Sequence, residues 1–518
     1  MAARRTARKA ERLQMKRDSV DVGMPAGTVP RIQLTTNPFD DDKLREECGV
    51  FGVWGVDQAS AMAALGLHAL QHRGQEAAGI VSLDKAGFHV HRAMGHVAGN
   101  FDRNDVIRSL PGPAAIGHVR YATAGDSGIR NVQPLFADLA CGGFAIAHNG
   151  NLTNAQILKT ELIRRGSIFQ STSDTEVIIH LVATSGFRTL LDRFIDALKQ
   201  VEGAWSLVCL TPEGMIGCRD PLGIRPLVLG KLGDSWILAS ETVALDIVGA
   251  KYVRQVEPGE LVVIDGNGLR SLKPFQPLRP RPCIFELVYF SRPDSFSNGH
   301  SVYQARKAIG AELAREAPVE ADMVVPVPDS GTPAAIGYAQ AAGIPFELGI
   351  IRSHYIGRTF IQPGDQIRHL GVKLKHNANR AMIKGKRLVL IDDSVVRGTT
   401  SVKIVNMMRE AGAREVHLRI ASPPTTHSCF YGVDTPERSK LLASRMSVEE
   451  MRAYIGCDSL AFITIDGLYR ALGEQTRDAA GPQYCDACFT GDYPTRLADQ
   501  EAQQNMPQLR LIPNKGVA

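Results

Sequence analysis

No apolar run in this 518-residue chain approaches the ~20 residues needed to cross a bilayer. The basic opening stretch (Arg4, Arg5, Arg8, Lys9, Arg12, Lys16, Arg17) lacks the apolar centre of a secretory signal. The nine cysteines keep no regular framework. In a chain this long that points away from a disulfide scaffold and towards a reducing compartment, the cytoplasm. Charge of one sign is also scarce: a net +5 is small for the length and does not by itself indicate nucleic acid. What remains is an ordinary soluble composition, 44% hydrophobic and 22% charged, with room for two or three domains.

Residues 1–47 are polar, mixed in charge and without periodicity, as in a disordered segment. Composition changes at Cys48, where Cys-Gly-Val-Phe-Gly-Val-Trp-Gly reads as a Gly-punctuated strand. From there to Arg270 many short strand-like runs mix with a few helices. Ala145–His148 reads as a strand ended by a turn at Asn149-Gly150-Asn151. Thr153 or Asn154 stands ready to cap a helix over Ala155–Arg165. Ser173-Asp174-Thr175-Glu176 has the spacing of a capping box ahead of a helical run, Val177–Leu181. Two antiparallel sheets flanked by helices fit this pattern.

Ser271–Pro282 carries Pro274, Pro277, Pro280 and Pro282, a semi-rigid connector. Beyond it, apolar strands (Met323–Val327, Phe346–Ile351, Leu388–Ile391, Val416–Ala421, Ala461–Ile465) alternate with helices, which predicts an α/β doubly wound parallel sheet. This second domain is expected over 283–493, with 494–518 as a tail.

The second domain is organised around Arg387–Ser401. Leu388–Ile391 reads as a strand buried on both faces, and it stops at Asp392 and Asp393, where open α/β sheets place their ligands. Ser394, Arg397, Gly398, Thr399, Thr400 and Ser401 follow before a helical pattern (Val402, Ile404, Val405, Met408). Such a loop directs backbone N–H groups and a positive dipole end at an anion. Carboxylates beside a phosphate cradle would repel the ligand unless Mg²⁺ or ligand hydroxyls lie between them. A phosphorylated sugar meets both demands. Met323–Pro328 runs into a second strand-end loop, Asp329-Ser330-Gly331-Thr332. Ser353–Lys373 is a long, weakly apolar connection bearing Tyr355, Gly357, Arg358, Gly364, Arg368, Gly371 and Lys373. Cations between glycines suit a lid over an anionic ligand. Arg352 and Arg358 are the expected pyrophosphate contacts.

Asp392–Ser401 resembles the 5-phosphoribosyl-1-pyrophosphate (PRPP) motif of type I phosphoribosyltransferases. The resemblance makes Asp329–Thr332 the pyrophosphate loop and groups Ser330, Asp392 and Asp393 around Mg²⁺. The first domain resembles the α+β N-terminal-nucleophile (αββα) fold of class II glutamine amidotransferases. The matching segments are Cys48–Gly52, Gln71–Gln75, Gly117–Thr123, Ala147–Asn151 and Ser173–Glu176, in the family's order. That likeness implies removal of residues 1–47, so that the α-amine of Cys48 takes the proton of its own thiol. It makes Asn149 and Gly150 the oxyanion donors, commonly worth ~3–4 kcal/mol each. Arg120 would hold the glutamine α-carboxylate and Asp174 its α-ammonium, with Arg73 and Thr123 also near the glutamine. His72, His118 and His148 read as structural, and Cys141, Cys209 and Cys218 as inert core thiols.

Cys485-Asp486-Ala487-Cys488 is a lone C-x-x-C, too little alone for zinc or a redox pair. Together, Pro282–Glu286, Cys429–Gly432 and Cys485–Phe489 resemble the cluster-bearing branch of the glutamine PRPP amidotransferases. This implies a [4Fe–4S] cluster on Cys283, Cys429, Cys485 and Cys488, stapling the carboxyl-terminal segment to Cys283; structural zinc is the rival. Cys457 lies outside the set.

The combined resemblance implies a committed step of purine synthesis. Glutamine yields ammonia at Cys48, and the ammonia displaces pyrophosphate from PRPP to give 5-phosphoribosylamine. A homotetramer and feedback inhibition by purine nucleotides are implied too, with no membrane or nucleic-acid partner. The rival is a PRPP-sensing regulator without turnover, which would have no use for a nucleophile.

Overall fold

The computed structural model describes residues 45–46, 48–121, 128–352 and 376–505. The expected Thr123, Arg358 and Lys373, the rest of the lid and the leader other than Arg45–Glu46 lie outside them.

The first half is built from strands β1 (Cys48–Trp54), β2 (Ala77–Asp84), β3 (Gly87–Met94), β4 (Ala114–Arg120), β5 (Leu135–Leu139), β6 (Gly142–Leu152), β7 (Gly203–Thr211), β8 (Gly214–Arg219), β9 (Val228–Leu232), β10 (Ser235–Ala239), β11 (Lys251–Gln255), β12 (Leu261–Asp265) and β13 (Gly268–Leu272). They form two antiparallel sheets, in the orders β11-β9-β10-β1-β4-β2-β3 and β13-β12-β8-β7-β6-β5. The two sheets face each other across a dry core that includes Val50, Ile116, Ala147, Val208 and Val262. Alternation sends the next residues outward. Phe51, Val53 and Val119 pack under helix α1 (Ala59–Ala69), whereas Phe144, Ile146, Leu207 and Cys209 pack under α2 (Ala155–Arg164), α3 (Thr175–Thr184) and α4 (Leu190–Leu198). Helix, sheet, sheet and helix therefore stack as four layers, the expected αββα arrangement.

The second half carries a parallel sheet, β14 (Met323–Pro326), β15 (Arg387–Asp392), β16 (Glu415–Ile420) and β17 (Ser459–Phe462), in that spatial order. Helices α5 (Val302–Glu316) and α6 (Thr332–Ala342) share a core with Val324, Val389 and Ile391. Helices α7 (Thr399–Glu410) and α8 (Val448–Ile455) share the opposite one with Val325, Leu388 and Leu390. Burial on both faces explains the unbroken apolar runs.

Several local expectations need correction. Asn149–Asn151 is not a turn: β6 continues to Leu152, paired with β7 throughout. The Asn-Gly signal is overridden because this segment is held in the middle of a sheet. The Ser173–Glu176 capping box does not form, since the Glu176 carboxylate turns back to the N–H groups of Gln170 and Ser171, both at 2.7 Å. The run Phe346–Ile351 is not one strand. Phe346 makes an isolated bridge to Val324, Gly349 donates to Glu347 in a turn, and Ile350–Arg352 pairs antiparallel with His376–Ala378. The last sheet strand stops at Phe462, because the Thr464 hydroxyl caps the next helix by accepting from Gly467 N at 2.9 Å.

Candidate active sites and thiol cavity

Cys48 opens β1, 8% exposed, and stands directly across from Arg120 at the end of β4. Antiparallel pairing thus sets the nucleophile beside the cation expected to hold its substrate. Arg120 is only 6% exposed, and its Nη1 is buried without a hydrogen-bond partner among the described residues. A buried guanidinium with unused donors suits an incoming carboxylate.

Asn149 and Gly150 sit in β6, and Asn149 meets the other sheet at Ser240, just past the end of β10. The Ser240 hydroxyl accepts from Val50 N at 2.9 Å and lies 3.4 Å from Asn149 Nδ2. Gly150 has φ 143° and is covered by the second half of the chain. A Cβ at Gly432 would come within 2.9 Å of Gly150 Cα, and Asn151 Nδ2 donates to Phe430 O at 3.0 Å. No larger residue fits at that contact. Asp174 flanks the same strand end, accepting from Leu152 N at 2.9 Å, with its side chain 20% exposed. It stands at the start of α3 yet makes no capping bond with its side chain.

Arg73, expected near the glutamine, lies buried between two carboxylates. It is 0% exposed, its Nε donates to Glu241 and its Nη2 to Glu286 at 2.7 Å. Arg225 Nη2 reaches the other Glu286 oxygen at 2.8 Å. Burial alone would raise both carboxylates, but the adjoining Arg73, with His72 at Glu241 and Arg225 at Glu286, holds each below its usual range. The histidines expected to be structural are buried or ion-paired. His118 is pushed down to about 3 by burial and lies 3.1 Å from His148 O. His148 is also depressed by burial, and His72 pairs with Glu241 at 2.6 Å.

In the second half, Asp392 and Asp393 are each 2% exposed at the end of β15. Asp393 N donates to Asp392 Oδ1 at 2.9 Å, and Ser394 Oγ to Asp393 Oδ1 at 3.1 Å. Gly398, at φ 80°, turns the loop into α7. Helix α7 opens earlier than the apolar pattern suggested, so Thr399, Thr400 and Ser401 form its first turn, where orphan N–H groups favour phosphate. Arg397 lies in the loop before it. Asp329 and Ser330 precede α6, with Gly331 at its N-cap and Thr332 its first residue. The Arg352 guanidinium pairs with the Asp329 carboxylate. The sheet thereby brings together the expected PRPP residues of β14, β15 and Arg352.

Sequence reading missed Ser240, Glu241, Arg225 and Arg306. Arg306, 3% exposed, donates to Leu287 O at 3.0 Å and Ser291 O at 2.7 Å. Burial lowers it to about 10, against the opposing charge of Asp393. Glu286 lay inside a quoted motif, but its role there was not legible.

Cys283, Cys429, Cys485 and Cys488 line one apolar cavity, with Ile224, Phe285, Tyr431 and Val433. Backbone pairing fixes two of them together: Ile284 N donates to Cys485 O at 3.1 Å and Cys485 N to Pro282 O at 2.9 Å. Burial pushes the Cys283 thiol up to about 12, and burial with the neighbouring thiols raises Cys485 and Cys488 well above the ordinary thiol value. Cys209 and Cys218 are buried core thiols. Among the described residues no group of three or more His, Cys, Asp or Glu is set to hold a single metal ion. The Cys429 loop has another neighbour, since Arg45–Glu46 pairs antiparallel with Val433–Asp434.

A glutamine amidotransferase domain model matches residues 118–246, and a phosphoribosyl transferase domain model matches 294–421. The chain is 57% identical over 488 residues to the amidophosphoribosyltransferase of Rhizobium etli, covering 93% of this chain and 98% of that one. It is 50% identical over 455 residues to the amidophosphoribosyltransferase of Bacillus subtilis, covering 88% and 95%. The solved glutamine PRPP amidotransferase of Bacillus subtilis, complexed with ADP and GMP, superposes with TM-score 0.82 at 49% identity, covering 87% of this chain and 98% of that one. A solved allosteric regulatory enzyme of purine biosynthesis gives TM-score 0.83 at 50% identity, covering 87% and 97%.

Proposed function

The chain belongs to the amidophosphoribosyltransferase family, and from that membership we propose how its residues move an amide nitrogen from glutamine to PRPP. The observation that carries the reading is the pairing of Cys48 with Arg120, whose buried cation still has a donor to give. Removal of residues 1–47 leaves Cys48 first, and its α-amine accepts the thiol proton. The thiolate attacks the glutamine side-chain amide while Arg120 holds the α-carboxylate and Asp174 the α-ammonium. Asn149 and Gly150 donate to the oxyanion as the tetrahedral intermediate forms. Its collapse expels ammonia and leaves a thioester, which water opens to glutamate. Arg73 orients this end from below.

Ammonia must cross to the second site unprotonated, because ammonium has no lone pair, so the path is dry. Thr399, Thr400, Ser401 and the neighbouring Ser394, Arg397 and Gly398 hold the 5-phosphate at the start of α7. Asp329, Ser330, Gly331, Thr332 and Arg352 hold the pyrophosphate; Arg358 and Lys373 are further contacts for it, and Thr123 one for the glutamine. Ser330, Asp392 and Asp393 are the residues for Mg²⁺, which supplies charge neutralisation to the leaving pyrophosphate. Ammonia then attacks C1 of the ribose, and pyrophosphate departs with the bonding pair. For Cys48→Ala we expect glutamine-dependent turnover to vanish and turnover with ammonium salts to survive. Loss of both would end the two-site reading.

The four-thiol cavity supports a [4Fe–4S] cluster with a structural role. A cluster places iron and sulfide between its thiolates and so asks for a cavity, where one tetrahedral zinc draws four sulfurs to about 2.3 Å. Native mass spectrometry of protein purified without oxygen tests the assembled state. We expect about four irons per chain, a chain beginning at Cys48, a homotetramer, and capture of added purine nucleotides such as the ADP and GMP of the Bacillus subtilis structure. Zinc, or a fully active protein that keeps its leader, would overturn the respective assignment. We place this chemistry in the cytoplasm; among the described residues no helix is long and apolar enough to cross a membrane.

A further inference from the structure

We propose that Glu286 is a positioning residue that ties the glutamine reaction to the state of the PRPP site; the proposal rests on the two-site reading above. Glu286 opens the short turn Glu286–Phe290 at the start of the second half and is 0% exposed. Two arginines of the first half converge on it, Arg73 at 2.7 Å and Arg225 at 2.8 Å. Its third partner is the Ser291 hydroxyl at 2.6 Å.

On one side this network reaches the glutamine site. Arg73 immediately precedes Gly74, where a Cβ would lie 2.5 Å from Arg120 N, and Arg73 Cβ is within 3.4 Å of a Cβ built at Gly49. Arg73 thus lies against Gly49, the residue after Cys48, and is joined in sequence to Gly74, which abuts the Arg120 backbone. On the other side it reaches the PRPP site. The Ser291 carbonyl, from the residue whose hydroxyl holds Glu286, accepts from Arg306 at 2.7 Å. Arg306 also donates to Leu287 O at 3.0 Å, and it stands in α5, which packs backbone to backbone on α6, the helix that the Asp329–Thr332 loop opens: a Cβ at Gly310 would collide with Ala334 O and one at Gly337 with Lys307 O.

Buried charges of this kind do not move singly. In a low-dielectric interior, leaving one partner uncompensated is expensive, so the set shifts together or not at all. Occupation of the PRPP site acts on the Asp329–Thr332 loop at the start of α6, and through the α5–α6 packing on Arg306. Arg306 holds both carbonyls of the Glu286 turn, and that turn holds Arg73. Both sites therefore bias one shared element, which is the physical requirement for coupling.

The test measures glutamate release with and without PRPP, and ammonia-driven PRPP turnover, in the full mature enzyme and in Glu286→Gln. The variant keeps the shape and removes the charge. In it the stimulation of glutaminase by PRPP should fall about tenfold while ammonia-driven turnover stays within about twofold of the parent. Undiminished stimulation overturns the proposal. So does a parallel loss of both activities, which would make Glu286 interface glue and nothing more. A parent enzyme without stimulation also overturns the proposal, since Glu286 would then have no coupling to carry; the two-site reading fails separately, through loss of ammonia-driven turnover in Cys48→Ala. Should Glu286→Gln not fold, Ser291→Ala, which removes only the 2.6 Å hydroxyl bond, must show the same selective loss to a smaller degree.

Discussion

At the scale of single residues, Arg120 is the side chain whose surroundings say most about its use. Its guanidinium is nearly sealed from solvent and retains an unpartnered nitrogen among the described residues. A site that kept such a donor without purpose would forfeit stability. For Arg120→Ala we expect kcat/KM for glutamine to fall about 10- to 100-fold, the loss of ~1.5–3 kcal/mol for a charge-assisted contact. Ammonia-driven turnover should be unaffected; an equal fall in both would place Arg120 elsewhere in the mechanism. Asp392 and Asp393 stood out in the sequence because two acids end an apolar strand, whereas Cys48 and Arg120 were named by the family resemblance. Arg73 was legible in place but not in direction, since only packing decides whether a guanidinium faces a ligand or a buried carboxylate. Glu241, Arg225 and Arg306 gave no signal at all. A buried ion pair and two solvated surface charges are written with the same letters.

At the scale of elements, α2 shows how a sequence rule can name the right helix and the wrong cap. Asn154 occupies the N-cap but caps nothing: its amide spans Gln200 O at 2.9 Å and Glu202 N at 3.0 Å. The cap comes from far along the chain. Asp499, in the terminal helix Ala498–Asn505, accepts from Gln156 N at 2.8 Å and Ile157 N at 3.0 Å, and its own N–H donates to Thr153 O at 2.9 Å. A carboxylate at a helix N-terminus satisfies two orphan donors and complements the dipole. Asp499→Ala should therefore cost about 1 kcal/mol, within the ~0.5–2 kcal/mol range of lost caps, with Asp499→Asn milder. A urea midpoint measured for each variant checks the order, and an unchanged midpoint for Asp499→Ala would show that the clasp contributes nothing. No local pattern could have announced it, because the two partners are 343 residues apart. The same limit misread β6, where an Asn-Gly pair with every mark of a turn is held straight by a partner strand from Gly203 onward.

At the scale of the whole molecule, the buried titratable groups set how stability answers to acid, and their signs differ. His118 and His148 are neutral in the fold because burial disfavours their charge, and His118 is taken down to about 3. An unfolded histidine binds its proton near pH 6.5, so their contribution is complete above that value and is lost as pH falls below it. His118 alone costs about 1.4 kcal/mol per pH unit in that window, and His148 adds a loss of the same sign. Asp220 runs the other way. Burial raises it to about 6, so below pH 6 the folded chain takes up a proton that the unfolded chain takes up only near 3.8. That uptake offsets one of the two histidines. Glu241 and Glu286 are held below their usual range by their arginines; their stabilisation is intact above about pH 4.5 and fades only below it. The expected profile is flat above pH 6.5 and falls on acidification below it, because the depressed histidines, His180, His300 and His427 included, outnumber the one raised carboxylate. Urea unfolding at pH 7.5, 6 and 5 measures it, and Asp220→Asn should steepen the lower part if the variant folds, because the offsetting proton is gone. Stability that rises on acidification through pH 6 would mean that the buried histidines are charged in the fold, and the packing of β4 against β6 would have to be redrawn around them.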